Sequence, residues 1–211
     1  MGKILVKERE IVIPGEELAE GMDYLPGQGT FRENNKIISN YLGLLSINER
    51  LIKVIPLTGH YIPRINDIVI GKVVEIGFYG WTIDIGSAYN AMLSIRDAAE
   101  FIERNDDLTK YYDFGDLIVA KINKVTRSKA IDLTTKGPGL KKLLGGKVIE
   151  VTPSKVPRMI GKQGSMVQLI KEKTGCNIII GQNGKIWIKG EATEKEILAS
   201  NAIIKIEQES H

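Results

Sequence analysis

The sequence predicts a multidomain α+β protein: a small β-rich N-terminal unit, a five-stranded barrel, and a mixed unit ordered strand, helix, helix, strand, strand, helix. Three observations carry that reading. Residues 1–62 combine glycine, proline and β-branched residues with no long helical pattern. Five short apolar runs lie between residues 63 and 136, with one long polar insertion between the third and the fourth. Beyond residue 147 the apolar period shifts, so that 145–211 forms a third domain.

Composition sets the outer bounds. The chain has 211 residues, 43% hydrophobic and 26% charged, as in an ordered globular protein. No apolar run reaches the ~18 residues a membrane span needs. The N-terminus "MGKILVKEREIVIPGEE" lacks a charged-then-apolar export pattern. Cys176 is the one cysteine, which excludes an internal disulfide and a multi-cysteine metal site and points to the cytoplasm. Net charge is only +3, so an argument for a nucleic-acid partner must rest on local sites.

In the N-terminal unit, "REIVIPGEELAEG" gives an apolar run and a Pro14-Gly15 turn. "NKIISNYLGLLSIN" and "RLIKVIPLTGHYIP" read as further strands. The segment offers too little apolar content for a firm core of its own. The barrel strands are 67–76, 80–86, 91–95, 117–125 and 130–134, and the insertion 97–114 is partly helical or looped. Five short strands with such an insertion suit a barrel of OB type. "TKGPGLKKLLGG" (135–146) reads as a linker.

In the third unit "KVIEVTP" is a strand, and Ser154 is placed to cap a short helix over Val156–Ile160. A second helix runs from Ser165 to Thr174, with Met166, Leu169 and Ile170 on one face and Gly175 as its stop. "NIIIG" and "KIWIKG" form a hairpin through the Gln182-Asn183-Gly184 turn. Thr193 and Glu196 form a capping box for a last helix with Leu198, Ala202 and Ile206 along one side.

Between the first two of those helices lies Gly161-Lys162-Gln163-Gly164. Glycines let a sugar-phosphate backbone approach without meeting a Cβ, and a helix N-terminus favours anions. Lys162 adds positive charge, with Arg158 and Lys155 close in sequence. The loop, in that element order, resembles the KH module, which clamps the backbone of about four single-stranded nucleotides. An ordinary helix–turn–helix with glycines for tight packing is the other reading.

The middle segment resembles the S1 RNA-binding motif along its whole length. The matching features are Gly71-Lys72-Val73, the Tyr79-Gly80 turn, Gly115-Asp116 and the closing "AIDL". Where that family carries a stacking aromatic and a histidine, this chain has Thr82 and Ser94. Tyr79 remains as an aromatic RNA-binding residue, and the barrel is expected to contribute mainly backbone electrostatics and little base preference. Arg96, Lys121, Lys124 and Arg127 supply a basic surface. Trp81 alternates to the opposite face from Thr82, as a core or interface residue.

Taken together, the three segments resemble archaeal exosome RNA-binding cap subunits of the KH-bearing type. The other archaeal cap type ends in a zinc ribbon, which one cysteine excludes. Bacterial polynucleotide phosphorylase carries KH before S1, behind catalytic domains absent here. The resemblance implies a non-catalytic subunit without cofactor or metal. Three copies would sit through their N-terminal domains on a hexameric ring of two RNase-PH-like subunits. They would feed single-stranded RNA 3′ ends into its phosphorolytic channel. His60 and His211, the two histidines, neighbour no nucleophile or metal-ligand pattern. A free-standing S1/KH factor of transcription or translation, and a purely architectural ring stabiliser, remain the other readings.

Overall fold

The computed structural model describes residues 2–57, 59–103 and 106–209. Met1, Thr58, Arg104, Asn105, Ser210 and His211 lie outside them, and with them part of the 97–114 insertion and the terminal histidine. Two compact units divide between Gly59 and His60.

The first unit has eight short strands: β1 (Lys3–Ile4), β2 (Ile11–Val12), β3 (Glu17–Glu20), β4 (Leu25–Pro26), β5 (Thr30–Glu33), β6 (Lys36–Ser39), β7 (Gly43–Asn48) and β8 (Leu51–Pro56). They form two four-stranded sheets, ordered β1-β3-β6-β5 and β2-β7-β8-β4. Leu18, Ala19 and Ile37 of one sheet and Val12, Leu45, Ile52 and Val54 of the other bury together, each at most 1% exposed. The expectation of an inadequate core is therefore corrected. Seven residues suffice because β2, β3, β6, β7 and β8 turn them to one shared layer, with a register shift in β3 that lets the consecutive Leu18 and Ala19 both bury.

The second unit opens with the barrel: β9 (Ile68–Gly77), β10 (Gly80–Asp84), β11 (Ala91–Ser94), β12 (Leu117–Val125) and β13 (Ile131–Thr134). The hydrogen-bonded order is β13-β11-β10-β9-β12, and β12 pairs back to β13 to close it. Val69, Val73, Ile83, Leu93, Ile118, Ile122 and Leu133 fill the interior. Trp81 is core: it is fully buried, its Nε1 donates to Tyr112 O at 2.8 Å, and its ring meets Tyr112 edge-on at 5.1 Å. Within the insertion, single 3-10 turns cover Ile95–Asp97 and Leu108–Lys110.

The presumed linker is partly a strand. β14 (Lys142–Leu143) pairs with Leu117 and Ile118 of β12, and Leu143 is buried. Next come β15 (Lys147–Glu150), α1 (Val156–Ile160), α2 (Ser165–Thr174), β16 (Asn177–Ile180), β17 (Lys185–Lys189) and α3 (Thr193–Gln208). The sheet order is β15-β17-β16, antiparallel throughout. One sheet face packs Ile178, Ile186 and Ile188 against Val156, Met159 and Ile170 and against Ala199 and Ile203 of α3. The other face sends Trp187 to Ile70, Val119 and Leu143 on the barrel's outer wall. Barrel wall, sheet and helices thus stack as three layers within one unit.

Local details depart from expectation where tertiary packing decides. Ser154 caps nothing: it lies in a 3-10 turn, Pro153–Lys155, and α1 has no side-chain cap. On α2 Leu169 is exposed and Met166 half-buried, while Val167, Ile170 and Thr174 face inward. On α3 Leu198 is exposed, and Ala199 and Ile203 make the core face. Glu196 does reach back, but its carboxylate accepts from the Gly190 N–H at 2.9 Å, and Thr193 lies inside the helix.

The Gln182-Asn183 turn seats the layers. Asn183 Nδ2 donates to Ile70 O and Ile85 O, both at 2.8 Å, and its Oδ1 accepts from Ile70 N at 3.2 Å. Gln182 N donates to Ile68 O, and Gln182 Oε1 accepts from Ile68 N, each at 2.8 Å. Close approach is possible because residue 181 is glycine: a Cβ there would lie 2.9 Å from Ile70 N. Asn183→Ala leaves three buried main-chain groups without partners, at about 1–3 kcal/mol for each group that stays dry. Allowing for water entry, it should destabilise the unit by about 2–4 kcal/mol. Thermal and denaturant unfolding measure this, and an unchanged midpoint would contradict it.

Candidate nucleic-acid interface

The loop between α1 and α2 is built by backbone conformations few residues accept. Gly161 has φ 74° and ψ −179°, a region essentially confined to glycine. Gln163 follows at φ 53°, ψ 27°, and Gly164 at φ 81°, ψ 10°. Three of four residues therefore have positive φ. The main chain folds tightly over the start of α2, leaving Lys162 and Gln163 exposed. A Cβ at Gly161 would meet Met166 N at 3.0 Å, whereas one at Gly164 meets only Val167 Cγ1 at 3.9 Å.

Electrostatics follow from the same segment. Residues 151–171 contain Lys155, Arg158, Lys162 and Lys171 and no aspartate or glutamate. Gly164, at the N-cap, offers no side chain to the first helical amides, and the first turn carries no acidic residue. The helix N-terminus and Lys162 therefore add their positive fields without internal neutralisation. Arg158 is exposed on the last turn of α1. Lys155 is taken elsewhere: its Nζ donates to Glu207 O at 2.9 Å.

The barrel's residues divide into two groups. Tyr79 is 82% exposed at the β9–β10 tip. Its carbonyl accepts from Ile95 N at 3.0 Å, which places exposed Arg96 beside the tip. Lys121, half-buried, pairs across from Thr134, whose Oγ1 donates to Asp97 O at 2.9 Å. Lys121 therefore shares that end of β13 with Arg96 and Tyr79. Lys124 lies opposite Asp132, and Arg127 lies in the β12–β13 turn, at the other end. Thr82 Oγ1 donates to Glu75 Oε2 at 3.2 Å, and Ser94 Oγ to Asp97 Oδ2 at 2.9 Å. Neither position presents a ring. His60 is exposed.

Sequence reading missed two features. Phe78 is 93% exposed beside Tyr79, and the string Gly-Phe-Tyr-Gly was its signal. The bonding of Gln182 and Asn183 to the barrel had no local signal beyond an ordinary hairpin turn.

Comparison with known proteins spans the whole chain. The sequence profile of the exosome RNA-binding protein RRP4 N-terminal domain matches residues 9–58. That of the RRP4 S1 domain matches 60–124, and that of a KH domain 146–194. Exosome complex component Rrp4 of Thermococcus kodakarensis is 50% identical over 217 residues, covering 100% of this chain and 83% of that protein. Its counterpart in Methanothermus fervidus is 46% identical over 208 residues, covering 99% and 92%. A crystal structure of a candidate exosome complex RNA-binding protein superposes with a TM-score of 0.65 at 35% identity. It covers 72% of this chain and 89% of the other.

The loop geometry separates its two glycines. Gly161→Ala should cost about 2–3 kcal/mol, because a glycine-only conformation combines with a clash on the main chain. Gly164→Asn should cost under about 1 kcal/mol, since asparagine tolerates the left-handed region. Chemical denaturation of both variants tests the order, and equal losses would contradict it.

Proposed function

The chain belongs to the Rrp4 family of exosome components, and we propose that it is the non-catalytic RNA-binding cap subunit of that complex. The observation that carries this is the Gly161–Gly164 loop: an exposed, positive-φ turn at an uncapped helix N-terminus, in a segment without acidic side chains. Such a turn suits a phosphodiester backbone. Arg158, Lys162 and Gln163 are its contacts, and Gly161 and Gly164 allow the approach. On the barrel, Tyr79, Arg96 and Lys121 form one contact group, and Lys124 and Arg127 extend the basic surface.

The working assembly is three copies on a hexameric ring of two RNase-PH-like subunits in the cytoplasm. Residues 1–62 form the ring-docking domain, 63–136 the S1 domain and 145–211 the KH domain. Exposed Ile11, Ile13, Met22 and Leu25 of the first unit support a docking role, because such side chains favour burial against a partner. Single-stranded RNA 3′ ends would be gathered at the S1 and KH surfaces and passed to the ring's phosphorolytic sites. The full-length likeness to exosome components favours this over a free-standing S1/KH factor.

Two tests follow. Replacing Lys162 and Gln163 together by aspartate should leave melting nearly unchanged, because exposed substitutions usually cost under ~0.5 kcal/mol and negative charge suits a helix N-terminus. RNA affinity should fall, and for the wild-type chain log affinity should fall against log salt with a slope of about −0.7 per phosphate contacted. Unaltered RNA binding by the double variant would remove the loop from the interface. Separately, deleting residues 1–59 should leave the second unit folded while releasing it from affinity-purified exosome. Retained co-purification would move the docking surface elsewhere.

A further inference from the structure

We infer that Phe78, at the β9–β10 hairpin tip, is a base-stacking residue that works with Tyr79 on single-stranded RNA; this rests on the RNA-binding reading above. Phe78 and Tyr79 form a two-residue loop between paired Gly77 and Gly80. They are 93% and 82% exposed. Keeping two aromatic rings in water forgoes the burial that such side chains favour. Their immediate chain neighbours are glycines: a Cβ built at Gly77 meets only Gly80 O, at 3.6 Å, so that side of the tip is open, whereas one at Gly80 would lie 2.1 Å from Leu93 O, so that side packs on β11.

The surrounding chemistry favours a nucleobase as the occupant. Arg96 is tethered one residue from the main-chain bond between Ile95 N and Tyr79 O. The nearby carboxylates of Asp97 and Glu75 are engaged by Ser94 and Thr82. Exposed rings at a tip whose bonded neighbour segment carries an arginine match a ligand that alternates flat bases with phosphates. Stacking is thereby moved from the barrel face, where Thr82 and Ser94 offer no ring, to the hairpin tip.

The test uses the full chain and two probes of equal length, an oligoadenylate and an abasic ribose-phosphate strand. Phe78→Ala should weaken oligoadenylate binding by roughly 5- to 100-fold and leave abasic binding unchanged. Phe78→Trp should retain affinity, and Phe78→Leu, apolar without a ring face, should lose it. Equal affinity of Phe78→Ala and wild type for oligoadenylate overturns the inference alone. So does loss of exosome assembly with RNA affinity intact, which would make the tip a protein contact. A wild-type chain that binds neither probe overturns the RNA reading itself.

Discussion

One dipeptide satisfies the open edge of a barrel strand, and the arrangement of the second unit depends on it. β9 pairs with β12 through its first half, and β10 begins to pair only at Lys72. The N–H and C=O of Ile68 and Ile70 face away from β12, and those of fully buried Ile70 need partners, because an unpaired buried main-chain group costs as much as a lost hydrogen bond, while those of Ile68 lie at the exposed end of the same edge. Gln182 and Asn183 bond both groups of both residues. The Asn183 carboxamide stands where the peptide of a neighbouring strand would otherwise lie. Its geometry allows no sliding, since each of its bonds has a fixed acceptor or donor.

Around that lock, burial follows the strand pleat. Val69 and Val73 point into the barrel, while Ile70 points to the sheet of the KH unit. On β12, Ile118, Ala120 and Ile122 point inward and Val119 outward. Both faces of these strands are covered, which explains why "DIVIGKVV" and "LIVAKI" read as near-continuous apolar runs rather than strict alternation. Two RNA-contact groups of the proposed interface thus sit on one packed body. Their separation is set by side-chain packing rather than by a flexible tether.

The same layers explain how far the sequence was legible. Five barrel strands, the limits of α2 and its Gly175 stop follow from local pattern, because turn residues and apolar runs report on their own neighbourhood. The glycine loop was legible for the same reason. Leu169 and Leu198 were misassigned because a helix with an ambiguous apolar face is oriented by the sheet it meets, here through Ile170, Ala199 and Ile203. The linker hid a strand because β14 exists only by adding to β12. Phe78 was passed over because burial, not residue type, separates a core phenylalanine from an exposed one.

The chain holds two tryptophans, and each sits in a different compartment of the second unit. Trp81 is sealed in the barrel with its indole N–H on Tyr112 O, and Trp187 lies at the junction of barrel and sheet with its N–H on Gly145 O at 2.7 Å. Each indole is therefore a native optical reporter with a dry, hydrogen-bonded environment of its own. Emission from Trp187 senses water reaching the junction, and emission from Trp81 senses water reaching the barrel. Order of opening becomes a matter of colour: a junction that parts first shifts one indole to the red while the other stays blue.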